Sequence, residues 1–81
     1  NYVIVFLDNA LKAPPTLDIL SAIRKHATRR RTTVIILAAS IDKPSVVRYR
    51  ESGTDNIITA PFTSAKILKK VFESVSSDRK N

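Results

Sequence analysis

Two runs of branched and aromatic residues constrain this chain most. Tyr2 to Leu7 reads YVIVFL and Thr33 to Leu37 reads TVIIL. Neither run alternates with polar residues. Short uninterrupted apolar runs of this composition read as strands buried on both faces, as in a parallel sheet. A shorter run, NIIT at Asn56 to Thr59, has the same character.

The stretches between them carry helical spacing. Thr16 is placed to cap a helix over Thr16 to Thr28, and Asp18 in its first turn suits the positive end of the dipole. Leu17, Leu20 and Ile23 share a face, with Ile19 beside them. His26 reads as a helix-end residue. Asp42, Lys43 and Pro44 open a second helix over Lys43 to Ser52. Gly53, the single glycine, ends it in the left-handed conformation. Ala60-Pro61-Phe62 is a turn, and Thr63 caps a third helix. The apolar stripe of that helix, Ile67, Leu68, Val71, Phe72 and Val75, reads as core. Ser76 to Asn81 reads as a fraying tail.

The order is β-α-β-α-β-α, which implies a parallel sheet with right-handed crossovers. Functional residues of such sheets collect beyond the carboxyl ends of the strands. The segments that qualify are Asp8 to Leu11, Ala38 to Ser40 and Ala60 to Phe62. A length of 81 residues fits one domain at most. The first residue is Asn1, with a strand-like run starting at once, so the sequence reads as part of a longer chain. One glycine excludes a Gly-rich phosphate cradle. Zero cysteines exclude disulfides, thiol chemistry and thiolate metal sites, and fit a cytoplasmic protein. No apolar run reaches the ~20 residues of a membrane helix. With no acid–base pair, nucleophile–base pair or metal cluster in view, an enzyme is not expected.

The charge balance is 14 basic against 7 acidic residues, a formal +7. Arg24, Lys25, Arg29, Arg30 and Arg31 form the densest basic patch. It sits at a helix end and loop, where solvent and the helix dipole account for it. Contact with an anionic partner is the alternative, but no aromatic residues interleave with it, which argues against single-stranded nucleic acid.

Four segments in order resemble the response-regulator receiver domain: VIVFLD (Val3 to Asp8), TLDILSAIR (Thr16 to Arg24), TTVIILAAS (Thr32 to Ser40) and GTDNIITAPF (Gly53 to Phe62). The resemblance implies a flavodoxin-like, doubly wound sheet of order 2-1-3-4-5, of which strands three, four and five lie here. It makes residues 1–81 a partial receiver-like domain whose first strands and helices precede Asn1. It also implies a cis bond before Pro61. By the same resemblance Asp8 is the phospho-acceptor candidate and a Mg²⁺ ligand, provided that an acidic pair stands upstream.

The resemblance also exposes departures. The position of the family's lysine falls on Ala60, its switch hydroxyl on Ala38 and its switch aromatic on Ile57. Lys12 and Thr16 stand where a proline and a glycine are usual. Tyr49 and Arg50 stand where small or apolar residues are common, so they are candidates for a changed partner surface. Lys12 lies in the loop after Asp8, but a solvated role suits it better than replacing the lysine. The implied function is a degenerate receiver-like module. It would act through protein contact or conformational control, with a protein partner or another domain of the parent chain completing its sheet. The alternatives are a working phosphorelay receiver served by a histidine kinase or phosphotransfer protein, and a basic nucleic-acid-binding module.

Overall fold

The run TVIIL lies at the centre of the structure. A computed structural model describes residues 3–10, 15–26 and 32–79. Its elements are β1 (Val3–Asp8), α1 (Thr16–His26), β2 (Thr32–Ala38), α2 (Lys43–Glu51), β3 (Asn56–Thr59) and α3 (Ser64–Arg79). The sheet order is β1-β2-β3 and both pairings are parallel. Val5 lies beside Val34, and Ile36 beside Ile57. Every strand foreseen in the sequence is present, and the alternation with helices is the flavodoxin-like arrangement.

The sheet has two differently covered faces. Val5, Leu7, Val34, Ile36 and Ile57 point to the side of α1 and α2, where they pack with Leu17, Leu20, Ile23 and Tyr49. Side chains alternate along a strand. Ile4, Phe6, Ile35, Leu37 and Ile58 therefore point to the other side, that of α3, where Asn56 of β3 hydrogen-bonds Ser74 at 3.3 Å. Val34, Ile35, Ile36 and Ile58 are wholly buried. Burial of a side chain of this size contributes roughly 1.5–3 kcal/mol.

The first strand differs from its sequence reading. Only Leu7 of β1 is buried, while Val3, Ile4 and Phe6 stay exposed. The apolar run matches a central strand, but β1 pairs with β2 alone among the described residues. The α3 stripe is likewise only partly core: Leu68 and Phe72 are 58% and 70% exposed. The helix runs to Arg79.

The helix ends follow local chemistry. Asp42 caps α2, its Oδ1 accepting from the Ser45 amide at 2.9 Å, with Pro44 in the first turn. Thr63 does the same for α3, its hydroxyl oxygen accepting from the Lys66 amide at 3.2 Å. Gly53 has φ +104°, as its place after α2 implied. Thr16 does not act as the expected cap. The Pro15 carbonyl takes the first amides of α1, and the Thr16 hydroxyl donates to the Asp8 carbonyl at 2.7 Å.

Candidate functional site

The carboxyl ends of the strands bring the qualifying segments together. Asp8 ends β1 beside Leu37, and Ala38 lies beside Thr59 near the end of β2. A cleft of about 460 Å³ opens there, lined by Asp8, Asn9, Ala10, Leu37, Ala39, Ser40 and Phe62. A neighbouring hollow of about 430 Å³ shares Asn9 and Ser40 and runs to the start of α2 at Asp42 and Ser45. Phe62 reaches the Asp8 cleft from the turn after β3, where the Ala60–Pro61 bond is cis, as the resemblance implied.

Asp8 is exposed at the mouth of the cleft. Its Oδ1 accepts from the Ala10 amide at 2.7 Å, and the next amide, that of Asn9, donates to the Leu37 carbonyl at 2.8 Å. The Oδ1 contact is an Asx turn, which a short carboxylate forms readily after a strand. Asp8 therefore shapes the turn and also faces the cleft. Thr16, buried behind it, holds the Asp8 main chain to the start of α1.

None of the three departures is among the residues that line this cleft. Ala38 is buried, Ile57 is half-buried on the opposite side of the sheet, and Ala60 is exposed in the turn after β3. The lining of the cleft holds no cationic side chain among the described residues. Lys12 lies outside them. The sequence did not single out Lys66, in the first turn of α3, which donates from Nζ to the Thr59 carbonyl at 2.5 Å and to the Thr59 hydroxyl at 3.4 Å. It is engaged with the end of β3. Only its spacing from Thr63 in the first turn could have signalled this.

Mg²⁺, which the resemblance implies, finds one carboxylate here. Among the described residues no cluster of three or more acidic, histidine or cysteine side chains could hold a metal. A hard divalent cation takes several oxygen ligands. The described residues do not fit such a site by themselves, and no step is derived through it.

The basic patch divides. Arg24 is not part of an open surface. Its guanidinium donates to the Gly53 carbonyl at 2.7 Å, to the Thr32 carbonyl at 2.7 Å and to the Asp55 carboxylate. Lys25 and His26 are exposed at the end of α1. Arg29, Arg30 and Arg31 lie outside the described residues. Tyr49 is likewise no surface marker: it is buried, and its hydroxyl donates to Asn9 Oδ1. Arg50 beside it is exposed.

No family model matches the sequence, and no curated protein matches it. Solved structures do. A response regulator from Thermotoga maritima superposes with TM-score 0.78 at 26% identity, over 90% of this chain and 59% of its own. This is a partial receiver-like fold. DrrB, an OmpR/PhoB homologue of the same organism, superposes with TM-score 0.75 at 31% identity, over 93% of this chain and 34% of its own. The BeF3-activated DrrB receiver domain gives TM-score 0.74 at 32% identity, over 90% of this chain and 61% of its own. The chain thus spans less than two thirds of each of these solved chains. Its three parallel strands alternating with helices match a fragment of the flavodoxin-like receiver fold. No helix among the described residues is long and apolar enough to cross a membrane.

Proposed function

We propose that this receiver-like chain is a signalling module whose Asp8 no longer works as a phosphate-driven switch. It acts by binding a protein partner or by conformational control within a larger parent, and it catalyses no reaction. The observation that carries this is the make-up of the Asp8 cleft. The carboxylate is in place, but the described lining beside it holds no cationic side chain, and Ala60, Ala38 and Ile57, which by the resemblance stand at its partners' positions, carry neither cation, hydroxyl nor aromatic ring. Phosphoryl charge needs preorganised donors aimed at its oxygens, and a methyl group supplies none.

The uncovered surface supports the larger-parent part of this reading. Ile4 and Phe6 of β1 and Leu68 and Phe72 of α3 lie exposed on one side of the sheet. An apolar sheet face with a free edge calls for cover by further chain or a partner. Within this proposal the cover is the parent's own upstream receiver segment.

A second reading, a working phosphorelay receiver, draws on the exposure of Asp8, on Ser40 in the same cleft and on the 32% identity with a receiver solved in a BeF3-activated state. One assay separates the two. The full-length protein is treated with acetyl phosphate and Mg²⁺, then weighed intact by mass spectrometry, with Asp8→Asn as control. The degenerate reading expects no added phosphoryl group, and rapid Asp8-dependent labelling overturns it. The nucleic-acid reading loses support because Arg24, counted in the basic patch, is committed to internal partners.

A further inference from the structure

The Tyr49 side chain joins residues 40 apart in sequence. It sits on α2, 6% exposed, within the core formed by Leu7, Leu20, Val34 and Ile36. A buried phenol needs a partner for its hydroxyl. Tyr49 finds it in Asn9 Oδ1, 40 residues away, in the turn that Asp8 shapes. Asn9 lines both hollows at the carboxyl ends of the strands.

The other end of Tyr49 is equally tied. Its carbonyl accepts from the Ser52 amide at 3.2 Å and from the Thr54 amide at 3.1 Å, where α2 gives way to β3. Thr54 in turn donates its hydroxyl to the Val34 carbonyl at 3.1 Å. Hydrogen bonds, joined by the covalent frame of the Asn9–Ala10 turn and of Tyr49 itself, therefore link the Asp8 carboxylate to Tyr49, the end of α2 and the start of β3.

We propose that Tyr49 is a positioning residue that couples the Asp8 turn to the end of α2. Asp8 Oδ1 holds the Ala10 amide and so sets the turn in which Asn9 stands. A ligand, partner group or modification that draws the carboxylate away from Ala10 alters that turn. It thereby alters the acceptor offered to the Tyr49 hydroxyl. The phenol is fixed in close-packed core, so the change passes to the α2 end rather than being absorbed by a rotamer. The coupling rests on these contacts alone, and it stands whether or not Asp8 accepts phosphate.

Hydrogen exchange by mass spectrometry on the full-length protein tests it. Asp8→Ala removes the acceptor for Ala10. With Tyr49 present it is expected to speed amide exchange over residues 46–52 by about fivefold, the equivalent of one net hydrogen bond. In a Tyr49→Phe background, which keeps the ring but lacks the hydroxyl, the same Asp8→Ala change is expected to leave those amides unaltered. Asn9→Ala cuts the link from the other side and is expected to abolish the response in the same way. A purely structural Tyr49 would lower stability yet leave the response to Asp8→Ala intact. That outcome, or an α2 that ignores Asp8→Ala with Tyr49 in place, overturns the proposal.

Discussion

Arg24 on α1 and Asp55 just before β3 form a largely buried ion pair, their side chains 13% and 6% exposed. The same guanidinium reaches the Gly53 and Thr32 carbonyls, and the same carboxylate accepts from the Val34 amide at 2.8 Å. One planar fork of donors thus fastens α1, the start of β2 and the turn after α2. It lies at the amino ends of the strands, opposite the Asp8 cleft. The pair is satisfied on both sides, which is what makes two buried charges tolerable.

Removing Arg24 takes away the cation that offsets the Asp55 carboxylate, leaving it the Val34 amide. Arg24→Ala is expected to destabilise the fold by about 3–5 kcal/mol, the range for breaking a buried pair. Arg24→Lys recovers little, because an ammonium cannot reproduce the fork. Urea unfolding of the full-length protein measures both. A loss for Arg24→Ala below about 1 kcal/mol would mean that the pair behaves as a surface one.

Gly53 is constrained twice. Its φ of +104° disfavours any side chain, and a Cβ would stand 2.8 Å from Cγ of Arg24. Gly53→Ala is expected to cost about 1–3 kcal/mol from the backbone alone, with displacement of Arg24 added. Melting temperature reports the sum. The Gly53→Ala and Arg24→Ala effects should be less than additive, because both disturb the same clamp.

The cap of α2 carries a pH dependence. Its hydrogen bonds to Ser45 hold the Asp42 carboxyl below its ordinary value of 3.8. A depressed folded pKa means the cap's contribution is full above about 3.8 and is lost as pH falls through the lower folded value. Exchange at α2 amides should therefore rise below that pH, beyond the intrinsic trend. Asp42→Asn, an uncharged cap, should flatten this excess. An unchanged profile in Asp42→Asn would assign the titration to another group.

The exposed apolar side chains have a solution signature. Phe6 and Phe72 are 43% and 70% exposed. The 81-residue chain on its own is expected to bind a hydrophobic dye such as ANS and to be marginally stable, as a sheet of few strands usually is. Phe6→Thr with Phe72→Gln should remove most dye binding while far-UV circular dichroism stays the same. Dye binding that survives both changes would place the open apolar surface elsewhere.

Rebuilding the cleft tests the cause assigned to its proposed degeneracy. Ala60→Lys with Ala38→Thr adds a cation and a hydroxyl. Labelling of Asp8 by acetyl phosphate is expected to rise by about 10²-fold or more, the scale of one preorganised donor. The gain depends on an acidic pair in the parent to hold Mg²⁺. Intact mass before and after, with Asp8→Asn in the same background, reads the result. No gain in a parent that has the pair would mean that the loss lies outside Ala60 and Ala38.

The local chemistry was legible in the residues. Branched apolar runs gave the strands, Asp42, Pro44 and Thr63 the helix starts, Gly53 a helix end, and the order of four segments the receiver-like fold. These depend on neighbours in sequence, whose physics is short-ranged. The long-range pairings were not legible. Arg24 looked like part of a basic surface and Tyr49 like a surface substitution. A side chain's partner is decided by what the fold brings beside it: Asp55, 31 residues from Arg24, and Asn9, 40 residues from Tyr49. Burial was decided the same way. Val3 to Leu7 has the composition of a central strand, and only the tertiary structure shows it paired with β2 alone among the described residues, with Phe6 exposed.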